Sequence, residues 1–245
     1  MHTIRLSGGW AVTAPAAGVT RHVRRFGRPR TLDPNETVWL TVRDAPGSGT
    51  VAVNGRPVGD VADPQTPFTT EIRSFLHDRN ELVLDLRSTS DRPPGDVSLE
   101  IRAEPLTLAP ATADDYRFTH DLTRLNMERY VAKYWGGWDE AVYRANFGRT
   151  ENLVLSLGSE PVGFVRTEPT ADVLVLEDVQ LLPAYQNRGL GAWVLSQVRD
   201  LAAARGLRAV RLRCFKDNPA RRLYLRAGFR VVEDAGVAEW FEQVL

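Results

Sequence analysis

The sequence predicts two domains, an all-β half followed by a half in which strands and helices alternate around an anion-binding loop. Three observations predict this. Short β-branched runs with turn signals fill the first hundred or so residues, a proline- and alanine-rich stretch interrupts the pattern near residue 105, and Gln186-Asn187-Arg188-Gly189-Leu190-Gly191 stands between an apolar strand and an amphipathic helix. At 245 residues, 43% hydrophobic and 25% charged, the chain has a globular composition and the length of two modest domains.

The first half reads as strands at Thr37–Val42, Thr50–Val53, Leu82–Leu86 and Val97–Ile101. Their spacing suggests a β-sandwich, and Asn54-Gly55 signals a two-residue hairpin because both positions accept positive φ. The stretch Ala103–Ala113, with two prolines, is read as the boundary, which gives a sandwich over 1–104, a linker over 105–114 and a second domain over 115–245. Residues 1–105 carry 13 basic and 13 acidic residues and the rest 18 of each, so neither half has the charge of a nucleic-acid binder. One cysteine forms no internal disulfide, and no apolar run reaches membrane-spanning length. Met1–Leu6 lacks a continuous signal-peptide apolar core, so a cytoplasmic protein that does not enter membranes is expected.

In the second half, Val173–Leu176, Val179 and Leu181 read as a strand ending before Pro183. Leu190, Trp193, Val194, Gln197, Val198, Leu201 and Ala202 recur at helical spacing, with Gln197 the only polar member, and Gly206 stands where a helix C′ residue belongs. Glycines in the intervening turn leave backbone N–H groups free, and the helix N-terminus adds its own amides and dipole, so the loop suits a pyrophosphate. A dinucleotide fingerprint needs a third glycine where Val194 stands, and the Gly-Lys-Ser/Thr of a Walker loop occurs nowhere. From Gln186 to Arg230 eleven basic residues face only Asp200 and Asp217, a segment expected to attract a polyanion.

Asn218-Pro219-Ala220-Arg221-Arg222-Leu223-Tyr224-Leu225-Arg226-Ala227-Gly228-Phe229 reads as one short helix with Asn218 as N-cap, Pro219 at the first turn and Gly228 at its end. With the Gln186, Gly189 and Gly191 motif, it resembles the Gcn5-related N-acetyltransferases (GNAT) over about residues 115 to 245, although Ala220 lies one position earlier than that family's pattern. The resemblance implies an α+β fold whose mixed, bent sheet splays between two parallel strands to admit acetyl-coenzyme A. It puts the pantetheine against Val179 and Leu181, the pyrophosphate on the backbone of Asn187, Arg188, Gly189, Leu190, Gly191 and Ala192 beside Gln186, and Asn218 along the pantetheine arm. Tyr224 falls where the family places the phenol that protonates the departing thiolate, and Glu177 where it often keeps a base. Regular alternation lets only one of Glu177 and Asp178 face the substrate, and a reaction with no dedicated base is the alternative. A covalent route through Cys214 is disfavoured because His2, His22, His77 and His120 all lie outside residues 121–245.

The acceptor is expected to be a small-molecule or peptide amine, with Trp135 and Trp138 as candidate acceptor contacts through cation–π interaction; no metal is expected. Val51-x-Val53-Asn54-Gly55-Arg56-x-Val58-Gly59, followed by Phe68, Ile72, Leu76, Asn80, Leu82 and Leu84, resembles, over about residues 36 to 102, the jelly-roll, galactose-binding-like module of β-galactosidase-type glycosidases. That resemblance makes a carbohydrate a candidate partner; a docking domain that shapes the acceptor pocket, or that holds a homodimer together, needs no sugar. The competing functional class is a carbohydrate-binding or scaffold protein with a non-catalytic acetyl-coenzyme A-binding half.

Overall fold

The computed structural model describes residues 2–88 and 90–245. The chain divides into two compact units between Glu104 and Pro105. The first contains β1 (His2–Arg5), β2 (Trp10–Ala16), β3 (Val19–Gly27), β4 (Glu36–Arg43), β5 (Ser48–Val53), β6 (Arg56–Val61), β7 (Phe68–Glu71), β8 (Arg79–Arg87) and β9 (Asp96–Ala103). They form a four-stranded sheet, ordered β1-β9-β4-β7, and a five-stranded sheet, ordered β2-β3-β8-β5-β6. Among the described residues every pairing in both is antiparallel.

Alternation explains the core of this unit. Leu82, Leu84 and Leu86 repeat at every second position of β8 and are fully buried, while the intervening residues are partly exposed. They share one cluster with Val38, Leu40, Leu99 and Ile101 of the other sheet. The hairpin forms as its sequence demands: Asn54 has φ 52° and Gly55 φ 75°, and Val53 stands opposite Arg56. The Asn54 side chain ties the turn down, accepting from the Glu81 amide at 2.9 Å and donating to the Phe75 carbonyl at 2.7 Å.

The second unit contains β10 (Leu106–Pro110), α1 (Tyr116–Trp135), α2 (Glu140–Arg149), β11 (Glu151–Leu157), β12 (Glu160–Pro169), β13 (Val173–Leu181), α3 (Leu190–Ala204), β14 (Ala209–Phe215), α4 (Arg221–Arg226), β15 (Arg230–Ala235) and β16 (Ala238–Val244). Its seven-stranded sheet is ordered β10-β11-β12-β13-β14-β16-β15. Among the described residues only β13 and β14 run parallel, and α3 is the connection between them, as a parallel pair requires. Leu190, Val194, Val198 and Ala202 of α3 pack on Leu174, Leu176, Val210 and Leu212 of these two strands. The helix closes in a Schellman motif: Gly206 takes φ 69°, its amide donates to Ala203 O, and the Leu207 amide to Ala202 O.

The expected linker over 105–114 is corrected by this topology. Leu106–Pro110 is an edge strand paired with β11, from Leu106 opposite Leu157 to Pro110 opposite Leu153. Leu106 and Leu108 alternate onto the α3-side core, and an edge strand tolerates the flanking prolines because one side of it needs no ladder donors. The helix expected to begin at Pro219, behind an Asn218 N-cap, begins instead at Arg221, two residues on. The Asn218 side chain still caps the turn before it, accepting from the Ala220 amide at 2.9 Å.

Candidate active site

The sheet opens where β13 and β14 part. Their parallel pairing runs from Val173 opposite Ala209 to Leu176 opposite Leu212 and stops there. Both strands continue, β13 paired with β12 through Leu181 and β14 paired with β16 through Phe215. From Glu177 to Leu181, therefore, β13 is in a ladder on one side only, and its other edge faces a gap. An open cleft of about 1630 Å³ runs through this gap, lined by both strands, α1, and the starts of α3 and α4.

The glycine loop ends the gap. Asn187 takes φ 58° and Gly189 φ 90°, two left-handed positions that turn the chain into α3 with Gly189 as its N-cap. The first helical hydrogen bond is from the Trp193 amide to Gly189 O at 3.1 Å, so the amides before it have no intrahelical acceptor and point out of the helix end. Gly191 already lies inside the helix, and a Cβ there would come within 2.8 Å of Leu223 Cδ2 on α4. Gln186 folds back on the strand it follows, donating to Leu181 O at 3.1 Å, and the Arg188 guanidinium lies over the Tyr185 ring at 4.8 Å.

The basic run is less basic in three dimensions than in sequence. Arg205 pairs with Glu151, Arg208 with Asp172, Arg211 with Glu242, Lys216 with Asp234 and Arg221 with Glu239. All five carboxylates lie outside the segment in which the charges were counted, so a local count misses them.

Tyr224 projects from α4 into the cleft lining and is 7% exposed, packed on Phe229 and Phe241. Burial pushes its phenol above the ordinary value, with Cys214 and Asp178 adding to the shift. Cys214 is buried, and burial pushes its thiol up to about 12, which leaves it a poor nucleophile.

The two carboxylates at the parting point are separated by a β-bulge. Arg166 stands opposite Asp178 and Thr167 opposite Leu176, which leaves Glu177 as the extra residue. The bulge breaks the strict alternation expected from sequence: Leu174 and Leu176 before it and Val179 and Leu181 after it all pack on the same core. Glu177 is exposed and lines the cleft. The Asp178 side chain, 10% exposed, lies against Arg166 at 3.3 Å and accepts from Gln180 Nε2 at 2.7 Å. Burial raises its carboxyl above the ordinary range while Arg166 opposes the rise. Asn126 of α1 donates to Gln180 Oε1 and to Leu181 O, fixing the end of the half-paired strand. Sequence reading missed this network; its one signal was Arg166, a charge directly after the apolar run Val162–Val165.

Trp135 and Trp138 both line the cleft, with different partners. Trp138 is held in place, its Nε1 donating to His120 Nε2 at 3.2 Å and its ring 5.6 Å from Tyr143. Trp135 is 56% exposed, lies 5.0 Å from the Phe215 ring and already carries Arg213 over its face at 5.4 Å. Among the described residues no group of three His, Cys, Asp or Glu gathers as a metal site, and no helix is long and apolar enough to cross a membrane.

The family model of the GNAT acetyltransferases matches residues 119–229. A curated relative, the ribosomal protein bS18-alanine N-acetyltransferase of Haemophilus influenzae, is 29% identical over 97 residues, which are 39% of this chain and 66% of that protein. An acetyltransferase of Thermus thermophilus is 28% identical, with 57% of this chain and 97% of that one aligned at a TM-score of 0.47. A GNAT family acetyltransferase from Elizabethkingia anophelis with acetyl-CoA bound is 16% identical, covering 57% of this chain and 98% of the other at 0.48. The match lies within the second unit, which carries a GNAT acetyltransferase domain over residues 119–229.

Proposed function

We propose that this protein transfers the acetyl group of acetyl-coenzyme A to a primary amine by direct attack, with both substrates bound together. The observation that carries the reading is the half-paired edge of β13 leading to the glycine loop: a backbone ladder with one open side, ending at outward-pointing amides. Such an edge suits the amide-bearing pantetheine arm, hydrogen-bonded through the main chain of Val179 and Leu181. The amides from Asn187 to Ala192 suit the pyrophosphate, whose charge the α3 dipole favours by roughly 0.3–2 kcal/mol. Asn218, on the opposite lip, flanks the same arm.

In this reading Glu177 takes the proton of the acceptor ammonium, directly or through water, because it is the exposed carboxylate at the parting point. Tyr224 donates its proton to the sulfur that leaves. Burial keeps that proton in place at neutral pH, so the phenol is protonated when the thiolate departs. Arg166, Gln180 and Asn126 act on neither proton; they hold the strand that carries the site.

The relative from Haemophilus influenzae acts on a ribosomal protein alanine, which favours a peptide amine over an unrelated small molecule. We assign the first unit, of jelly-roll type in this reading, an accessory or substrate-shaping role rather than sugar binding. Trp10, Phe26, Phe68 and Phe75 pack on its core, and the recess on the outer face of the five-stranded sheet is lined by Arg21, Val23, Arg25 and Glu81 without an aromatic platform. A cytoplasmic location and a homodimer are parts of the same proposal.

Calorimetric titration with acetyl-coenzyme A, run beside Gly189→Trp, tests the reading. The expected result is micromolar binding, weakened at least a hundredfold in the variant, where a bulky residue would have to adopt φ 90° at the loop. An absence of binding to the unaltered protein would dismiss the transferase assignment.

A further inference from the structure

On β14 and immediately beside it, Arg208, Arg211 and Lys216 are paired with carboxylates, whereas Arg213 is not. Arg211 lies 3.5 Å from Glu242 and 3.7 Å from Glu233, Lys216 is 2.7 Å from Asp234, and Arg208 reaches Asp172. Among the described residues no carboxylate lies within ion-pair distance of Arg213. Its guanidinium is held instead by two indoles, 5.4 Å from the Trp135 ring and 5.8 Å from that of Trp240. Aromatic faces steady a guanidinium without supplying a countercharge, which leaves its planar fork of donors open to a carboxylate.

Its position gives this a purpose. Arg213 is the first residue of β14 past the last parallel pair, as Glu177 is on β13. Val210, Leu212 and Cys214 face the α3-side core, so alternation turns Arg213 to the opposite face of the sheet. Arg213, Trp135, Trp240 and Glu177 all line the cleft at the point where the strands part. The mouth of the gap thus brings together, on facing strands, the exposed carboxylate of Glu177 and the exposed guanidinium of Arg213.

We propose that Arg213, steadied between Trp135 and Trp240, binds a carboxylate carried by the acceptor, while Glu177 serves its amine. The acceptor class is then an amine with an acidic group close by: a free amino acid, or a peptide N-terminus followed by an acidic side chain. This inference rests on the transferase reading given above.

The test compares kcat/KM, followed by release of coenzyme A thiol, for two acceptor pairs that differ only in charge: alanine against alaninamide, and Ala-Glu-amide against Ala-Gln-amide. At least one acid is expected to exceed its amide by about tenfold or more, and the pair that does so names the source of the carboxylate. Arg213→Gln should bring that ratio close to one and Arg213→Lys should keep part of it, with acetyl-coenzyme A affinity measured in all three proteins as the control for folding. Equal or better use of both amides overturns the proposal, as does a ratio that Arg213→Gln leaves unchanged. Binding of acetyl-coenzyme A without turnover of any of the four acceptors also overturns it, whereas no binding of acetyl-coenzyme A removes the transferase reading itself.

Discussion

β3 and β8 in the first unit pair without interruption from Val19 opposite Arg87 to Gly27 opposite Arg79, whereas β13 and β14 in the second pair over four residues and then separate. The two regions put similar residues to different ends. Where a ladder is complete, every backbone group is satisfied internally and the side chains alternate between core and solvent, so the structure has no donors or acceptors left for a ligand. Where the ladder stops halfway, a row of amides and carbonyls remains at the edge of a cleft, open to a ligand with amides of its own. The proposed chemistry sits at this interruption.

The comparison is broken most directly by emptying the core beneath the continuous β3–β8 ladder. Leu84→Ala removes a fully buried side chain from the first unit and should lower its stability by about 2–5 kcal/mol. If the two units are energetically separate, a calorimetric scan will show one transition shifted and acetyl-coenzyme A affinity unchanged. A loss of affinity would mean that the first unit supports the cleft.

At the interrupted half, Tyr224→Phe keeps the ring against Phe229 and Phe241 and deletes the donor. Turnover should fall by about ten- to a thousandfold with donor affinity retained, within the range of general-acid catalysis. A rate equal to that of the unaltered protein would strike Tyr224 from the mechanism. Glu177→Gln should lower kcat/KM by about tenfold with acetyl-coenzyme A affinity retained. An unaltered rate would leave solvent as the base.

The smallest expected effect returns to the first unit. His22 is fully buried, neither ring nitrogen has a hydrogen-bond partner, and burial lowers its pKa. The unfolded chain, with an ordinary imidazole near pH 6.5, then binds the proton more readily than the folded one. The neutral ring's contribution to stability is complete above about pH 6.5 and is lost as the pH falls below it toward the folded-state value. Melting temperature of the first unit should drop by a few degrees between about pH 7.5 and 5.5, and His22→Leu should reduce the drop. Equal drops in both proteins would place the acid sensitivity elsewhere.

Much of this molecule is legible from its residues alone because the signals are local. Asn54-Gly55 specifies a hairpin through positive φ, the period of Leu190, Val194, Val198 and Ala202 specifies the helix and its buried face, Gly206 stops it, and the spacing of Gln186, Gly189, Asn218 and Tyr224 identifies the family. Tertiary structure alone decided the rest, and in each case the reason is a partner distant in sequence. Leu106 and Leu108 became a strand because β11 offered an edge. Alternation past Glu177 failed because β12 pairs around a bulge. Much of the basic run was neutralised because carboxylates from other strands fold against it, which left Arg213 with two indoles in place of an acid. Turn conformation and helix period are properties of neighbouring residues, and a sequence displays them; ladder ends, bulges and ion pairs are properties of residues brought together by folding, and they exist only once the chain has closed on itself.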